Sequence, residues 1–180
     1  MFQYILGRRR ALFLALCLPL LLIGLNVSPR GVSAASCTTT LSAGDDIQAA
    51  IDAATAGDVI CLSAGTYSPA ATLTVNKAIT LQGPQFDVDP RPSAATTRTP
   101  GGAAEAIIDG GGTLGDVIRI TSSDVALNGF EVKNGTGDLI ASPTGGDIAN
   151  VYLGYLIIHD AIGDEGMQIR DCTDCVIEYN

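Results

Sequence analysis

The residues with the clearest chemical potential in this chain form a short acidic segment. Asp160, Asp164 and Glu165 lie within six positions of one another, directly after His159, with a glycine among them. Carboxylate oxygens of this kind are the hard ligands that Ca²⁺ prefers. The same composition also suits a solvated turn, because surface turns favour aspartate and glycine. Asp160, Asp164 and Glu165 are therefore a candidate calcium site, with a solvated turn as the alternative.

Four cysteines fall into two pairs whose spacing indicates a structural role. Cys37 and Cys61 are 24 positions apart on either side of a predicted helix, and a disulfide between them is expected to contribute about 3 kcal/mol. Cys172 and Cys175 form a lone CxxC motif. Redox catalysis would need this motif at a helix start in a βαβ context, which the surrounding sequence does not supply. A local disulfide or two buried thiols at a turn are the two interpretations for this pair.

The first residues have the pattern of an export signal. Three arginines at positions 8–10 precede a nearly unbroken apolar run at 11–27, and small residues surround Ala34. This order is typical of a secretory signal peptide. A retained membrane anchor is the alternative, but the run is short for about 30 Å of hydrocarbon. We predict a signal peptide at residues 1–34, one domain at residues 35–180, and a protein that is secreted or held at the cell surface without a membrane span.

The exported segment is strongly acidic. The whole chain has 10 basic and 19 acidic residues and a formal net charge of −9. Removal of the signal peptide takes four arginines and leaves 6 basic residues, for a net charge of −13. Because phosphate contacts need clustered Lys and Arg, nucleic acid and anionic membranes are not expected partners. An anionic substrate would need a bridging cation.

One short helix and several short strands are predicted after the signal peptide. An acidic N-cap at Asp45 and Asp46 precedes apolar residues spaced as on one helical face, which predicts a helix from Ile47 to Thr55. A Pro-, Thr- and Gly-rich stretch at 84–102 predicts a surface loop that overhangs a groove. Short apolar or alternating runs bounded by turn residues predict strands at 59–62, 72–75 and 79–82.

The later part of the chain repeats itself. Residues 125–134 match residues 151–160 at an offset of 26, and the run that starts at Val176 follows at an offset of 25 from Val151. Residues 117–120 have a counterpart at 166–169, an offset of 49 and close to two periods. A unit of about 25 residues that holds short strands and no helix predicts a solenoid whose strands stack as parallel sheets.

These features together resemble a known superfamily of secreted proteins. The chain is similar to the N-terminal part of the pectin-lyase-like superfamily, whose fold is a right-handed parallel β-helix with an N-terminal capping helix. This family includes polysaccharide lyases, hydrolases, esterases and non-catalytic surface proteins, so the resemblance is specific for the fold and not for a reaction. The matching segments are IQAAIDAA, AGDVICLSAGTY, ITLQG at 79–83, AIIDGGG at 106–112, and the repeats at 125–134 and 151–160.

In such a fold each coil buries its apolar residues only by stacking on the next coil, about 4.8 Å away. The helix would cover the first coil, whose strand edges are otherwise exposed. The chain stops at Asn180 within a strand-like run and without a polar cap, so we expect it to be part of a longer protein. The residues expected to point inward are Ile118, Ile120, Leu127, Val132, Leu153, Ile157, Met167 and Ile169.

The resemblance implies where chemistry would occur. In the lyases of this superfamily an Arg or Lys acts as the base beside a calcium ion, which makes the outward-facing Arg119 and Arg170 candidates, although outward arginines are also common on solvated sheets. His159, the single histidine, aligns with Lys133 of the preceding repeat and is expected at an exposed turn position. The paired aspartates of the related hydrolases are absent, since Asp45 and Asp46 fall at the helix cap.

Two functions follow from the sequence as expectations. The first is a secreted β-helix protein that binds or cleaves an acidic extracellular polysaccharide, with calcium as the cofactor in a pectate- or alginate-lyase-like reaction. The second is a non-catalytic, adhesin-like β-helix at the cell surface. Whether the protein is an enzyme is left open by the sequence, because no convergent set of acid and base residues is recognisable in it.

Overall fold

The computed structural model describes residues 36–92, 95 and 98–180. The predicted signal peptide, residues 1–34, lies outside these ranges. Within the described ranges no helix is long and apolar enough to cross a membrane. In chain order the elements are β1 (Thr39–Leu41), α1 (Ile47–Ala53), β2 (Val59–Leu62), β3 (Gly65–Tyr67), β4 (Leu73–Val75), β5 (Thr80–Gln82), β6 (Ala106–Asp109), β7 (Ile118–Ile120), β8 (Ala126–Asn128), β9 (Glu131–Lys133), β10 (Ile140–Ala141), β11 (Ile148–Ala149), β12 (Tyr152–Gly154), β13 (Ile157–His159), β14 (Met167–Gln168), β15 (Cys172–Thr173) and β16 (Val176–Glu178).

The strands form parallel sheets. Sheet 1 has the order β1-β2-β5-β8-β12-β16, sheet 2 has the order β3-β6-β9-β13, and sheet 3 has the order β4-β7-β10-β14. A small fourth sheet pairs β11 with β15. The protein is thus an all-β chain of parallel sheets with one short helix in its described part, as the sequence predicts. This arrangement is consistent with a β-helix-like solenoid.

The register divides the chain into rungs, each of which contributes one strand to each main sheet. The equivalent positions Val59, Thr80, Ala126, Tyr152 and Val176 lie side by side in sheet 1. We name the four intervals between them rung 1 (59–79), rung 2 (80–125), rung 3 (126–151) and rung 4 (152–175). Rungs 3 and 4 match the predicted period of about 25 residues. Rung 2 is longer because it carries a long excursion between β5 and β6.

Apolar residues stack in columns from rung to rung. In sheet 1 the aligned residues Ile60, Leu81, Leu127 and Leu153 are all 0 to 1% exposed. Full burial of one such side chain stabilises the fold by about 1.5 to 3 kcal/mol. No single rung could bury these residues alone, so the core exists only because successive rungs stack.

The helix lies over the first edge of sheet 3. Asp46 is the N-cap and its side chain accepts a hydrogen bond from the backbone nitrogen of Ala49, while Ile47 and Ile51 are buried in the core. The side chain of Gln48 both donates to and accepts from the backbone of Thr74 on edge strand β4, at 3.3 and 2.7 Å. The helix therefore satisfies strand groups that would otherwise be exposed, which agrees with its expected covering role.

Two details differ from the expectations. The helix ends at Ala53 rather than Thr55. Val176 pairs with Tyr152, not Val151, so the last offset is 24 residues and Ile177 continues the column of Leu153. Such one-residue shifts are hard to read from sequence, because Val176 and Ile177 are both apolar and either suits the inward position.

Ile157 was also expected inward, and this prediction is wrong. Ile158 pairs with the buried Val132 and packs against the core, whereas Ile157 pairs with Glu131 on the outer face of sheet 2. Ile157 is nevertheless only 8% exposed. The alternation cannot be read from the apolar run Leu156 to Ile158, since residues on both faces of this strand are covered.

Both disulfides predicted from the sequence are present. Cys37 and Cys61 are joined with their Cα atoms 5.7 Å apart, which links the segment before β1 to β2. Cys172 and Cys175 are joined with a Cα distance of 5.9 Å, across the turn between β15 and β16. The CxxC motif is thus a local cross-link, one of the two interpretations that the sequence left open.

We name residues 84–105 the excursion; its described residues, 84–92, 95 and 98–105, contact the outside of later rungs. Its described residues contain no strand. Asp87 and Asn128 exchange two hydrogen bonds, of 2.9 and 3.2 Å. Arg98 donates to the carbonyl of Tyr155 on rung 4 at 2.7 Å, and the backbone nitrogen of Gly101 donates to Glu131 at 2.7 Å. The predicted surface loop is therefore fastened across rungs 3 and 4.

Candidate functional site

Carboxylates form a column along the beginning of sheet 3. Asp116, Asp138 and Glu165 each stand two residues before a strand of this sheet, and the register of Ile118, Ile140 and Met167 aligns them on rungs 2, 3 and 4. Backbone hydrogen bonds of 3.2 Å, from Val117 to Asp138 and from Leu139 to Glu165, fix the same alignment. The parallel register thus stacks like charges one rung apart.

Three carboxylates converge at the later end of this column. One oxygen each from Asp138, Asp164 and Glu165 lies within 4.8 Å of the others. Asp138 is only 6% exposed, whereas Asp164 and Glu165 are exposed. The backbone nitrogen of Glu165 donates to Oδ1 of Asp138 at 3.1 Å, and Nε2 of Gln168 donates to Oε2 of Glu165 at 2.9 Å. We name Asp138, Asp164 and Glu165 the acidic trio.

The crowding of negative charge has an electrostatic effect. A hydrogen bond shared with Asp164, the charge of Asp164 and then the carboxylate of Asp138 raise the pKa of Glu165 above its ordinary value. A proton on Glu165 relieves part of the repulsion within the trio, and a bound cation would relieve it as well. Oxygen-only donors with one buried member suit a hard cation such as Ca²⁺, which takes six to eight oxygen ligands.

The three residues that the sequence predicts as a calcium site, Asp160, Asp164 and Glu165, do not form one cluster in the structure. Asp164 and Glu165 belong to the acidic trio, whereas Oδ2 of Asp160 lies 2.9 Å from Nδ1 of His159. Asp138, which the sequence analysis did not name, takes the third place in the trio. The segment from His159 to Glu165 therefore serves two separate clusters, one at each of its ends.

Of the two candidate arginines, one adjoins the acidic column. Arg119 is half exposed on the outer side of β7, and its Nη2 lies 2.5 Å from Oδ2 of Asp116. The other oxygen of Asp116 accepts a hydrogen bond from the backbone nitrogen of Asp138 at 3.2 Å, which connects Arg119 to the trio through one residue. Arg170 instead donates to the hydroxyl of Thr144 at 2.9 Å. Arg119 is therefore the better placed cation.

His159 does not occupy the exposed turn expected for it. It is the last residue of β13, it pairs with Lys133 as predicted, and its side chain is 26% exposed. Its Nε2 lies 2.9 Å from Oε1 of Glu131, which is completely buried. Because both ring nitrogens contact a carboxylate, one buried and one exposed, the imidazole ring is fixed in orientation and is not freely solvated.

Comparison of the chain with protein-family models, with curated proteins and with solved structures finds no match. The pectin-lyase-like resemblance therefore stays a hypothesis that rests on the sequence motifs. The parallel sheets and the acidic column depend only on the register of this chain.

The sequence contains a signal for Asp116 and Asp138, the two members of the carboxylate column that the sequence analysis did not name. Each strand of sheet 3 on rungs 2 to 4 is preceded by an acidic residue in the pattern acid-x-apolar-x, as DVIR, DLIA and EGMQ that start at 116, 138 and 165. The intervals of 22 and 27 residues bracket the period of the repeat. Alignment of the chain on this pattern, in place of a search for clustered carboxylates, would have found Asp116 and Asp138.

Proposed function

We propose that this chain forms a right-handed parallel β-helix, is exported, and binds or cleaves an acidic extracellular polysaccharide, with Ca²⁺ held by the acidic trio. The observation that carries the proposal is the convergence of Asp138, Asp164 and Glu165 from two consecutive rungs. A surface that repeats every rung, at about 4.8 Å, suits a ligand that is itself a repeating polymer.

Charge determines the kind of cofactor in this proposal. The exported segment has a net charge of −13, so it repels a uronate polymer unless a cation bridges the two. Carboxylates of the trio would bind such a cation through oxygen atoms. A bound Ca²⁺ would supply charge neutralisation for a substrate carboxylate. Arg119 would add a second positive charge on the neighbouring rung.

The test uses polygalacturonate and alginate as representative uronate polymers. Cleavage by elimination forms an unsaturated sugar, whose ultraviolet absorbance is followed with Ca²⁺ or with a chelator, while melting of the protein is measured in the same buffers. We expect Ca²⁺-dependent product and a Ca²⁺-dependent rise in melting temperature. The proposal is wrong if the protein forms no product, does not bind either polymer and is not stabilised by Ca²⁺.

A non-catalytic surface β-helix is the second candidate. It is favoured by the pairing of the outward charged groups with one another, as in Arg119 with Asp116 and Lys133 with Asp109 at 3.6 Å. Groups held in such pairs suit a binding surface that needs no free base. A rise in melting temperature on addition of polymer, without any product in the absorbance assay, would decide for this second function.

A further inference from the structure

Arg170 is the one exposed Lys or Arg side chain that no carboxylate neutralises in the part of the chain that the structure describes. Its Nη1 donates a hydrogen bond to the hydroxyl of Thr144 at 2.9 Å. Lys77, which is partly buried, donates to two backbone carbonyls at the end of α1. The other four lie in ion pairs with carboxylates: Arg91, Arg98, Arg119 and Lys133. In a segment with a net charge of −13, Arg170 thus presents an uncompensated positive charge to solvent.

A buried serine of the preceding rung fixes the backbone at Arg170. Ser142 is 6% exposed, and its hydroxyl accepts from the backbone nitrogen of Arg170 at 2.6 Å and donates to the backbone carbonyl at 3.0 Å. The register of β10 with β7 places Ser142 beside Ile120, an apolar residue that is 0% exposed. A buried hydroxyl has to be hydrogen-bonded, and here both bonds go to Arg170. The serine therefore interrupts an apolar column and holds the base of the arginine side chain in place.

The guanidinium of Arg170 has an unused edge. The bond to Thr144 uses Nη1, whereas Nε and Nη2 have no partner among the described residues. These two nitrogens form the edge that binds a carboxylate through two parallel hydrogen bonds. Asp171, the next residue, does not pair with this edge, and its Oδ2 accepts from the backbone nitrogen of Gly145 at 2.7 Å. Arg170 is therefore arranged to receive a carboxylate from outside the described chain.

Arg170 and the acidic trio share one face of the protein, at opposite ends of β14. Gln168 lies between Met167 and Ile169, which both pack against the core, so its side chain points outward. Its Nε2 donates to Glu165, which places that carboxylate on the outer side. Arg170 follows Ile169 and is exposed. It is five positions after Glu165, which corresponds to about 17 Å at most in an extended chain.

We propose that Arg170 binds one carboxylate of the acidic polysaccharide while the acidic trio binds another carboxylate of the same polymer chain through Ca²⁺, an inference that rests on the proposed function. Every uronate unit carries a carboxylate, so one polymer chain supplies both groups. A single uronate is too short to reach both places. Because the second contact forms within the complex, it acts at a high effective concentration. The polymer should therefore bind more tightly than the single sugar, and this gain should depend on Arg170.

The experiment compares the wild-type protein with Arg170→Gln in the presence of Ca²⁺. Affinities for polygalacturonate, alginate and galacturonate, the single sugar, are measured by titration calorimetry, or as KM where product forms. We expect Arg170→Gln to bind both polymers about tenfold more weakly or worse, because a charge-assisted, bidentate contact is lost. Its affinity for galacturonate and its stabilisation by Ca²⁺ should equal those of the wild type, since the acidic trio is unchanged.

The excursion provides a matched control. Arg91 is also a surface arginine, with 46% of its side chain exposed, but Asp89 occupies its Nε and Nη2. Arg91→Gln removes the same charge as Arg170→Gln and should bind the polymers as the wild type does. Thr144→Val keeps the charge of Arg170 and removes the hydroxyl that holds Nη1, so it should weaken polymer binding less than Arg170→Gln.

The possible results separate this inference from the proposed function. If the wild-type protein binds the polymers and folded Arg170→Gln binds them within about a factor of two of it, the inference is wrong and the proposed function stands. The same holds if Arg91→Gln weakens binding as much as Arg170→Gln, since loss of any surface cation would then suffice. If the wild-type protein binds neither polymer, the inference is wrong, and the proposed function falls with it when product and stabilisation by Ca²⁺ are absent too.

Discussion

The backbone nitrogen of Glu165 donates a hydrogen bond to the carboxylate of Asp138, one rung earlier in sheet 3, at 3.1 Å. This contact joins two acidic residues that are 27 positions apart. Their negative charges are brought together by the stacking of rungs rather than by closeness in sequence. The site therefore forms only when rungs 3 and 4 are in register.

The first prediction concerns Asp138 as a calcium ligand. We expect Ca²⁺ to raise the melting temperature of the wild-type protein, and Asp138→Asn to weaken the apparent affinity about tenfold or more, because affinity follows the number of charged ligands. Titration calorimetry or melting curves over a range of Ca²⁺ concentrations measure this. Asp147→Asn, at an exposed residue outside the acidic trio, is the control and should bind as the wild type does. Equal affinities in all three proteins would exclude Asp138 as a ligand.

The second prediction concerns pH in the absence of calcium. The folded protein binds the proton of Glu165 more tightly than the unfolded chain, since its pKa is raised from the ordinary 4.5. This contribution is complete below the ordinary value and is lost as pH rises through the raised one. Glu165→Gln, which imitates the neutral form, should flatten this part of the curve of melting temperature against pH. A variant curve parallel to that of the wild type would contradict the assignment.

How much of the fold was predictable depended on local signals. The helix start at Asp46 and the strand Val59–Leu62 were correct because a cap and an apolar run mark them. β10 was not named, because Ile140–Ala141 is too short to show alternation and is recognised only as a partner of β7 and β14.

The candidate site was predictable only in part for a related reason. Asp164 and Glu165 are adjacent in sequence and were found, whereas Asp138 joins them through the register of the rungs. His159 was assigned to an exposed turn because it aligns with Lys133, and its contact with Glu131, 28 positions away, joins two rungs and is not visible in the local sequence. Contacts between rungs can be predicted from sequence only when the offset between the rungs is known to a precision of one residue.

The third prediction compares the two disulfides. Cys37–Cys61 closes a span of 24 residues and Cys172–Cys175 a span of 3. In the chain-entropy description the longer loop contributes about 3 kcal/mol and the shorter about 2 kcal/mol. We therefore compare two variants, each with both cysteines of one disulfide replaced by serine. Urea unfolding should show a larger loss of stability for the Cys37/Cys61 variant than for the Cys172/Cys175 variant. The reverse order would show that local contacts, not loop closure, determine the stabilisation.

The fourth prediction concerns the ion pair that fastens the excursion. The guanidinium of Arg98 donates two hydrogen bonds to Glu105, of 2.9 and 2.8 Å, and both side chains are nearly inaccessible at 3% and 2% exposure. Removal of one partner leaves a buried charge, so Arg98→Met should lower the free energy of unfolding by about 3 to 5 kcal/mol. Urea unfolding measures this, and proteolysis within residues 84–105 should become faster.

The excursion itself provides the matched comparison. Arg91 pairs with Asp89 at 2.6 Å, but Arg91 is 46% exposed, so Arg91→Met should change stability far less because water already screens that pair. Arg98→Met combined with Glu105→Leu should recover most of the loss, since an apolar pair leaves no charge buried. If Arg98→Met is no more destabilising than Arg91→Met, the Arg98 to Glu105 pair does not hold the excursion against rungs 3 and 4.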